Sequence, residues 1–116
     1  IEFFSSLGEA AHLLAPSALW VVDIEGAEME LLNAEHFPAL NDAFIIVEVH
    51  DFAVPGVSSA LVKRFSPSHS VMRVQSAGRN PNQSELLRGC PDSVKWPLMG
   101  EGRPAAMEWL VMVPRR

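Results

Sequence analysis

Two apolar runs, Leu19–Ile24 and Phe44–Val49, constrain this chain more than any other feature, because each leads into acidic or histidine residues and a helical pattern lies between them. The first region reads LWVVDIEGAEMELL, and after a short link the second reads FIIVEVHDF. Strand, helix, strand is the grammar of a parallel βαβ unit. Parallel strands are covered on both faces, so they read as continuous apolar runs rather than alternations. The crossover should be right-handed, making the two strands adjacent and parallel. Both then end on one edge of the sheet, where open α/β folds place their ligands. Asp23, Glu25, Glu48, His50 and Asp51 are therefore expected on one rim.

Composition narrows what that rim can serve. The 116 residues, 48% of them hydrophobic, suit one small domain with a single core. A net charge of −5 argues against sequence-independent nucleic-acid binding. The arginines Arg64, Arg73, Arg79, Arg88 and Arg103 form no stripe. No apolar run approaches the ~18 residues needed to span a bilayer, and Glu2 stands where a signal peptide would be cationic. Cys90 is the sole cysteine, which excludes an internal disulfide and fits a reducing cytoplasm. A start at Ile1 followed by a helical pattern points to a piece of a longer protein.

The rest of the chain divides as follows. Ser6 and Glu9 have capping-box spacing, and Leu7, Ala10, Ala11 and Leu14 share one face, which predicts a helix over Ser6–Leu14 that Pro16 ends. Gly26 sits where a strand must turn sharply into a helix. That helix is predicted from Ala27 to about Asn33, with Glu28 in its first turn, where the dipole favours a carboxylate. A further helix is predicted from Ser58 or Ser59 to Phe65, stopped by Pro67. Ser70–Gln75 reads as a shorter, more alternating strand near an edge. Residues Ala77 to Ala105 hold much of the proline and glycine and read as a lid or binding loop, with one helical turn at Ser84–Arg88. Met107–Val113 is the last strand.

At DIEGAE, followed by IIVEVHDF, the sequence resembles the FkbM-like family of S-adenosylmethionine-dependent methyltransferases. Their fourth core strand ends in a similar D-x-E-G-x-E and their fifth in a similar E-x-H. Here those positions are Asp23, Glu25, Gly26, Glu28, Glu48 and His50. The match is specific across Leu19–Phe52, looser over the next helix and strand and over Glu108-Trp109-Leu110, and weak in the long loop. The resemblance implies an α/β class I methyltransferase (Rossmann-like) fold. Its sheet has strands in the order 3-2-1-4-5-7-6, mostly parallel with the seventh antiparallel. Residues 1–116 would supply strands four to seven, the C-terminal half of one such domain. The glycine-rich turn after strand one and the acidic residue ending strand two, which hold the cofactor in that family, have no counterpart here.

The implied activity is transfer of a methyl group from S-adenosylmethionine to a hydroxyl oxygen of a small molecule or sugar. Asp23, Glu48 and His50 are the catalytic candidates, and Glu25, Glu28 and Asp51 the substrate-binding ones. No cofactor-binding residue is assigned. His50 suits a general base near neutral pH, and Asp23 could serve the same purpose. The plainer reading makes Asp23 a strand-end carboxylate satisfied by backbone amides, and Glu25 and Glu28 ordinary helix-start charges. Asp23, Glu48, His50 and Asp51 could hold a divalent metal. Their spacing is no metal signature, however, so no metal ligand is assigned.

Other residues read as structural. Trp20 and Trp109 are expected in the core, while Trp96 could cover a ligand. His12, His36 and His69 are expected to face solvent. Cys90 has no basic partner that would make it a nucleophile. An alternative function is a non-catalytic α/β module that associates through its rim or sheet edge. The Leu19–Ile24 strand carries no Lys, Pro or bulge to guard its edge, which makes a homodimer through that edge the expected assembly.

Overall fold

The four residues Leu19–Val22 form strand β1 and Phe44–Val49 form β2. They are parallel neighbours, with Leu19 opposite Phe44 and Val22 opposite Val47. The crossover between them carries helix α1, a single turn at Glu28–Leu31, and a 3₁₀ turn at Pro38–Asp42. This is the βαβ unit expected from the sequence, although β1 stops two residues early. Helix α2 spans Val57–Phe65 and leads into β3, His69–Gln75. The computed structural model describes residues 17–100, 102 and 104–115. The predicted Ser6–Leu14 helix and His12 lie outside them.

The segment predicted as a long loop is more ordered than its composition implied. It holds 3₁₀ turns at Pro81–Gln83 and Glu85–Leu87 and helix α3 at Asp92–Met99. Pro97 inside α3 is what hid this helix from a reading based on breakers. Strand β4, Glu108–Pro114, closes the chain.

The sheet order is β1-β2-β4-β3. β4 inserts between β2 and β3 and runs antiparallel to both, pairing Glu48 with Trp109 on one side and Val74 with Trp109 on the other. The expectation of an antiparallel last strand is met, but the expectation of a mostly parallel sheet is not. Only the β1–β2 pairing is parallel, because β4 occupies the middle of the sheet and makes both of its own pairings antiparallel. The result is a mixed four-stranded α/β sheet. β3 is an edge strand as expected, though at seven residues it is longer than β1 or β2.

One face of the sheet carries the core. Val57, Leu61 and Phe65 of α2 are buried with Val22, Ile45, Val47, Leu110 and Met112. Arg64 ties the two helices together, its Nη1 donating to the carbonyls of Met29 and Leu32 at 2.7 and 2.6 Å. Those carbonyls end the short α1, which is too short to be stable alone. On the other face Leu19, Val21, Met72, Val74 and Val113 are exposed. That second face is open along β1 and β3, whereas Glu48 of β2 on the same face is buried. Trp20 is only partly buried against the core, and Trp109 is likewise intermediate.

His69, expected in solvent, is fully buried. Its Nε2 donates to the Ala43 carbonyl at 2.9 Å, so Nδ1 accepts from the Ser68 hydroxyl at 2.8 Å. Its ring also meets Phe65 edge-on. One partner, Ser68, is the neighbouring residue, but the other, Ala43, is 26 residues away and is brought near only by the fold. No helix among the described residues is long and apolar enough to cross a membrane.

Because Leu61 is completely buried between α2 and the sheet, Leu61→Ala should destabilise the fold by about 2–5 kcal/mol. Ser59→Ala on the exposed side of the same helix should change it by less than about 0.5 kcal/mol. Urea unfolding of the two variants checks this. Equal midpoints would mean α2 does not pack as described.

Candidate functional site

The turn between β1 and α1 carries most of the site. Glu25 has φ +53° and Gly26 φ +107°, two left-handed residues in succession. Glycine takes this conformation freely, whereas glutamate pays about 1–2 kcal/mol for it. The Gly26 Cα also packs closely on the next loop, since a Cβ there would lie 3.4 Å from Val54 Cγ2. The double bend swings Glu25 over the sheet rim and points Glu28 inward.

Glu28 is fully buried. Its Oε1 accepts the Gly26 amide at 3.0 Å and His50 Nδ1–H at 2.5 Å. His50 follows β2 directly and is 1% exposed, with Phe52 against its ring edge. With Nδ1–H donated to the carboxylate, a neutral ring carries its lone pair on Nε2. That nitrogen faces Glu25 Oε2 at 3.3 Å, Asp23 Oδ1 at 3.5 Å and Glu48 Oε2 at 3.9 Å. Asp23 and Glu25 are open to solvent, at 48% and 78% side-chain exposure, while Glu48 is buried. Asp23 Oδ1, Glu25 Oε2 and His50 Nε2 lie within 4.8 Å of one another, close enough to hold one metal ion.

The other expected members divide. Asp51 turns away, its Oδ1 accepting the Ser58 amide at 3.1 Å near the start of α2. It serves the helix as a cap from a distance. Glu28, grouped above with the substrate-binding residues, stands behind His50 and sets its orientation. Glu48 lies in β2 and borders a pocket of about 380 Å³. Ser76–Arg79, Trp96, Met99, Gly100 and Trp109 are among its other lining residues. Trp96, read as a possible cover, does line this pocket and is half exposed. Glu48 thus joins the pocket to the histidine cluster. His36 is exposed, and Cys90 is a partly buried free thiol far along the chain.

Two features escaped the sequence. The Glu28–His50 bond spans 22 residues and no local period announces it. The role of Arg64 depends on carbonyls exposed where α1 ends after one turn, which a pattern predicting a longer helix could not reveal. No family model, curated protein or solved structure matches the chain.

Glu25→Gly should relieve the left-handed strain at this turn and remove one charge from the acidic rim. Stability should rise by about 1 kcal/mol, read as a higher urea midpoint with unchanged slope. A lower midpoint would show that the Glu25 side chain holds the turn together.

Proposed function

We propose that this chain is the substrate-side half of a class I S-adenosylmethionine-dependent methyltransferase that acts on a hydroxyl of a small molecule or sugar. The observation that carries the reading is the strand order β1-β2-β4-β3 with β4 alone reversed. That is the order and direction of strands four, five, seven and six in the fold the resemblance implies. The resemblance itself lies at the β1 and β2 ends, where the histidine cluster forms.

No residue of this chain is assigned to the cofactor, because the glycine-rich turn and the strand-two acidic residue that the resemblance implies have no counterpart in its sequence. The chemistry assigned here is therefore confined to the substrate.

A hydroxyl entering from the pocket meets aromatic rings at Trp96 and Trp109 and a carboxylate at Glu48. The tryptophans offer the flat apolar surface a sugar ring needs, and Glu48 accepts a hydrogen bond from a hydroxyl. His50 takes the hydroxyl proton on Nε2 as the oxygen becomes a nucleophile. Glu28, bonded to Nδ1, stabilises the imidazolium that results, and Asp23 is positioned to orient the hydroxyl. Proton removal of this kind contributes about 10²–10⁴-fold, and positioning supplies the rest. The lone Cys90 favours a cytoplasmic setting.

The test uses the polypeptide that carries both halves, supplied with methyl-labelled S-adenosylmethionine and a panel of hydroxyl compounds. His50→Ala should lower turnover by about 10²–10⁴-fold and leave substrate binding within a few-fold. Turnover equal to that of the parent would remove His50 from the chemistry, and no labelled product from any hydroxyl compound would sink the reading.

One observation favours a second reading, association through the sheet edge. β1 has no neighbour on its outer side among the described residues, and Leu19 and Val21 are 63% and 66% exposed. Unguarded apolar edges are templates for pairing. Light scattering of the 116-residue chain should give a dimer, and Val21→Lys a monomer. A monomeric parent at high micromolar concentration would end this idea.

A further inference from the structure

We propose that Asp23, Glu25 and His50 bind one divalent ion of the zinc class, through Asp23 Oδ1, Glu25 Oε2 and His50 Nε2. Three independent features converge on this. The first is spacing. Ligands 2.0–2.2 Å from a tetrahedral ion stand about 3.3–3.6 Å apart. The two distances from Nε2 are 3.3 Å to Glu25 and 3.5 Å to Asp23.

The second is the state of His50. Its ring is 1% exposed, and Nε2 faces the Glu25 and Asp23 carboxylates at 3.3 and 3.5 Å. With Nδ1–H given to Glu28, a neutral ring turns its Nε2 lone pair toward carboxylate oxygens that have only lone pairs themselves. A cation between them resolves that conflict. The third is Glu28. It is fully buried, its Oε1 holds the imidazole, and its Oε2 has no hydrogen-bond partner among the described residues. A buried carboxylate spent on the far nitrogen of a histidine is the outer-shell device that orients metal-bound imidazoles and makes them better donors.

Charge points the same way. Among the described residues, no Lys or Arg pairs with Asp23, Glu25 or Glu28, and His50 is the one group standing between them. Two oxygens and one imidazole suit zinc, with manganese as the harder competitor. Asp23 and Glu25 are open to solvent, so the remaining coordination position faces outward. That is the layout of a catalytic rather than a closed structural site. The sequence assigned no metal ligand; of the four residues weighed there, Asp51 is committed to α2 and Glu48 lies 3.9 Å from Nε2, while Glu25 takes a place beside Asp23 and His50. The inference does not rest on methyl transfer. With an ion on Nε2, His50 would no longer take the proton, and a hydroxyl bound in the open position would release it to solvent.

The experiment titrates the 116-residue chain with ZnCl₂, and separately MnCl₂, against a chromophoric chelator, and then substitutes Co²⁺ for its absorption spectrum. One Zn²⁺ per chain at micromolar affinity or tighter is expected, with the intense visible bands of four-coordinate Co²⁺. Asp23→Asn and Glu25→Gln alter exposed groups and should each weaken binding at least tenfold. Glu28→Gln should weaken it about 10–100-fold through His50. Circular dichroism establishes that each variant is folded. Absence of Zn²⁺ binding, or binding that Asp23→Asn and Glu25→Gln leave unchanged, overturns the proposal. Either result can occur with methyl transfer intact, so the two readings fail separately.

Discussion

The hydrogen bond from His50 Nδ1 to the buried Glu28 carboxylate is the contact on which the rest of the rim depends. It joins the start of α1 to the end of β2, and so closes the βαβ unit across the rim where β1 and β2 end. Burying a carboxylate is costly unless it is paired, and Glu28 has two donors, His50 and the Gly26 amide, both on one oxygen. The same bond decides what the site can do. By occupying Nδ1 it fixes the imidazole tautomer and leaves Nε2 facing Asp23 and Glu25. A helix of one turn could not hold Glu28 in place unaided. The Arg64 hydrogen bonds to carbonyls of that region anchor it to α2, and Leu32 shares the buried core with Leu61 and Phe65.

The sheet adds a second constraint. β4 enters between β2 and β3 and places Trp109 opposite Glu48. This brings the end of the long segment, with Trp96 and Met99, over the β2 side of the rim. The pocket and the histidine cluster are therefore products of different connections that meet at Glu48. One comes from the crossover out of β1, the other from the return into β4. Loops can vary there without disturbing the imidazole, because the bonds that hold it belong to the crossover.

Much of this was legible. The runs LWVV and FIIVEV marked β1 and β2 to within two residues, and their direction followed from the short helical link between them. Gly26 announced the left-handed turn. The co-location of Asp23, Glu25, Glu48 and His50 followed from the two strands ending together. What failed did so for definite reasons. The proline and glycine of residues 77–105 suggest a loop, yet Pro97 lies inside α3. His69 has a solvent-like local context but a buried environment made by Ala43 and Phe65, 26 and 4 residues away. Asp51 looked like a rim ligand because its backbone is at the rim, while its side chain follows the Ser58 amide. Sequence position gives where a residue is. Which way a carboxylate turns depends on donors that only the fold assembles.

The concentration of carboxylates explains why one nitrogen can carry two readings. At an effective dielectric near 20, two unit charges about 5 Å apart repel by roughly 3 kcal/mol. Solvent reduces this for Asp23 and Glu25, which are well exposed. It does less for Glu28, which is buried. A positive charge at Nε2, whether a proton or a metal ion, lowers the energy of all three at once. Proton uptake by His50 in the proposed methyl transfer and residence of the proposed ion on His50 would draw on the same acidic field. They differ in what occupies Nε2 at rest. If an ion does, the substrate must meet the metal before it meets a base, and Glu48, nearest the pocket but 3.9 Å from Nε2, becomes the group that orients the hydroxyl toward it.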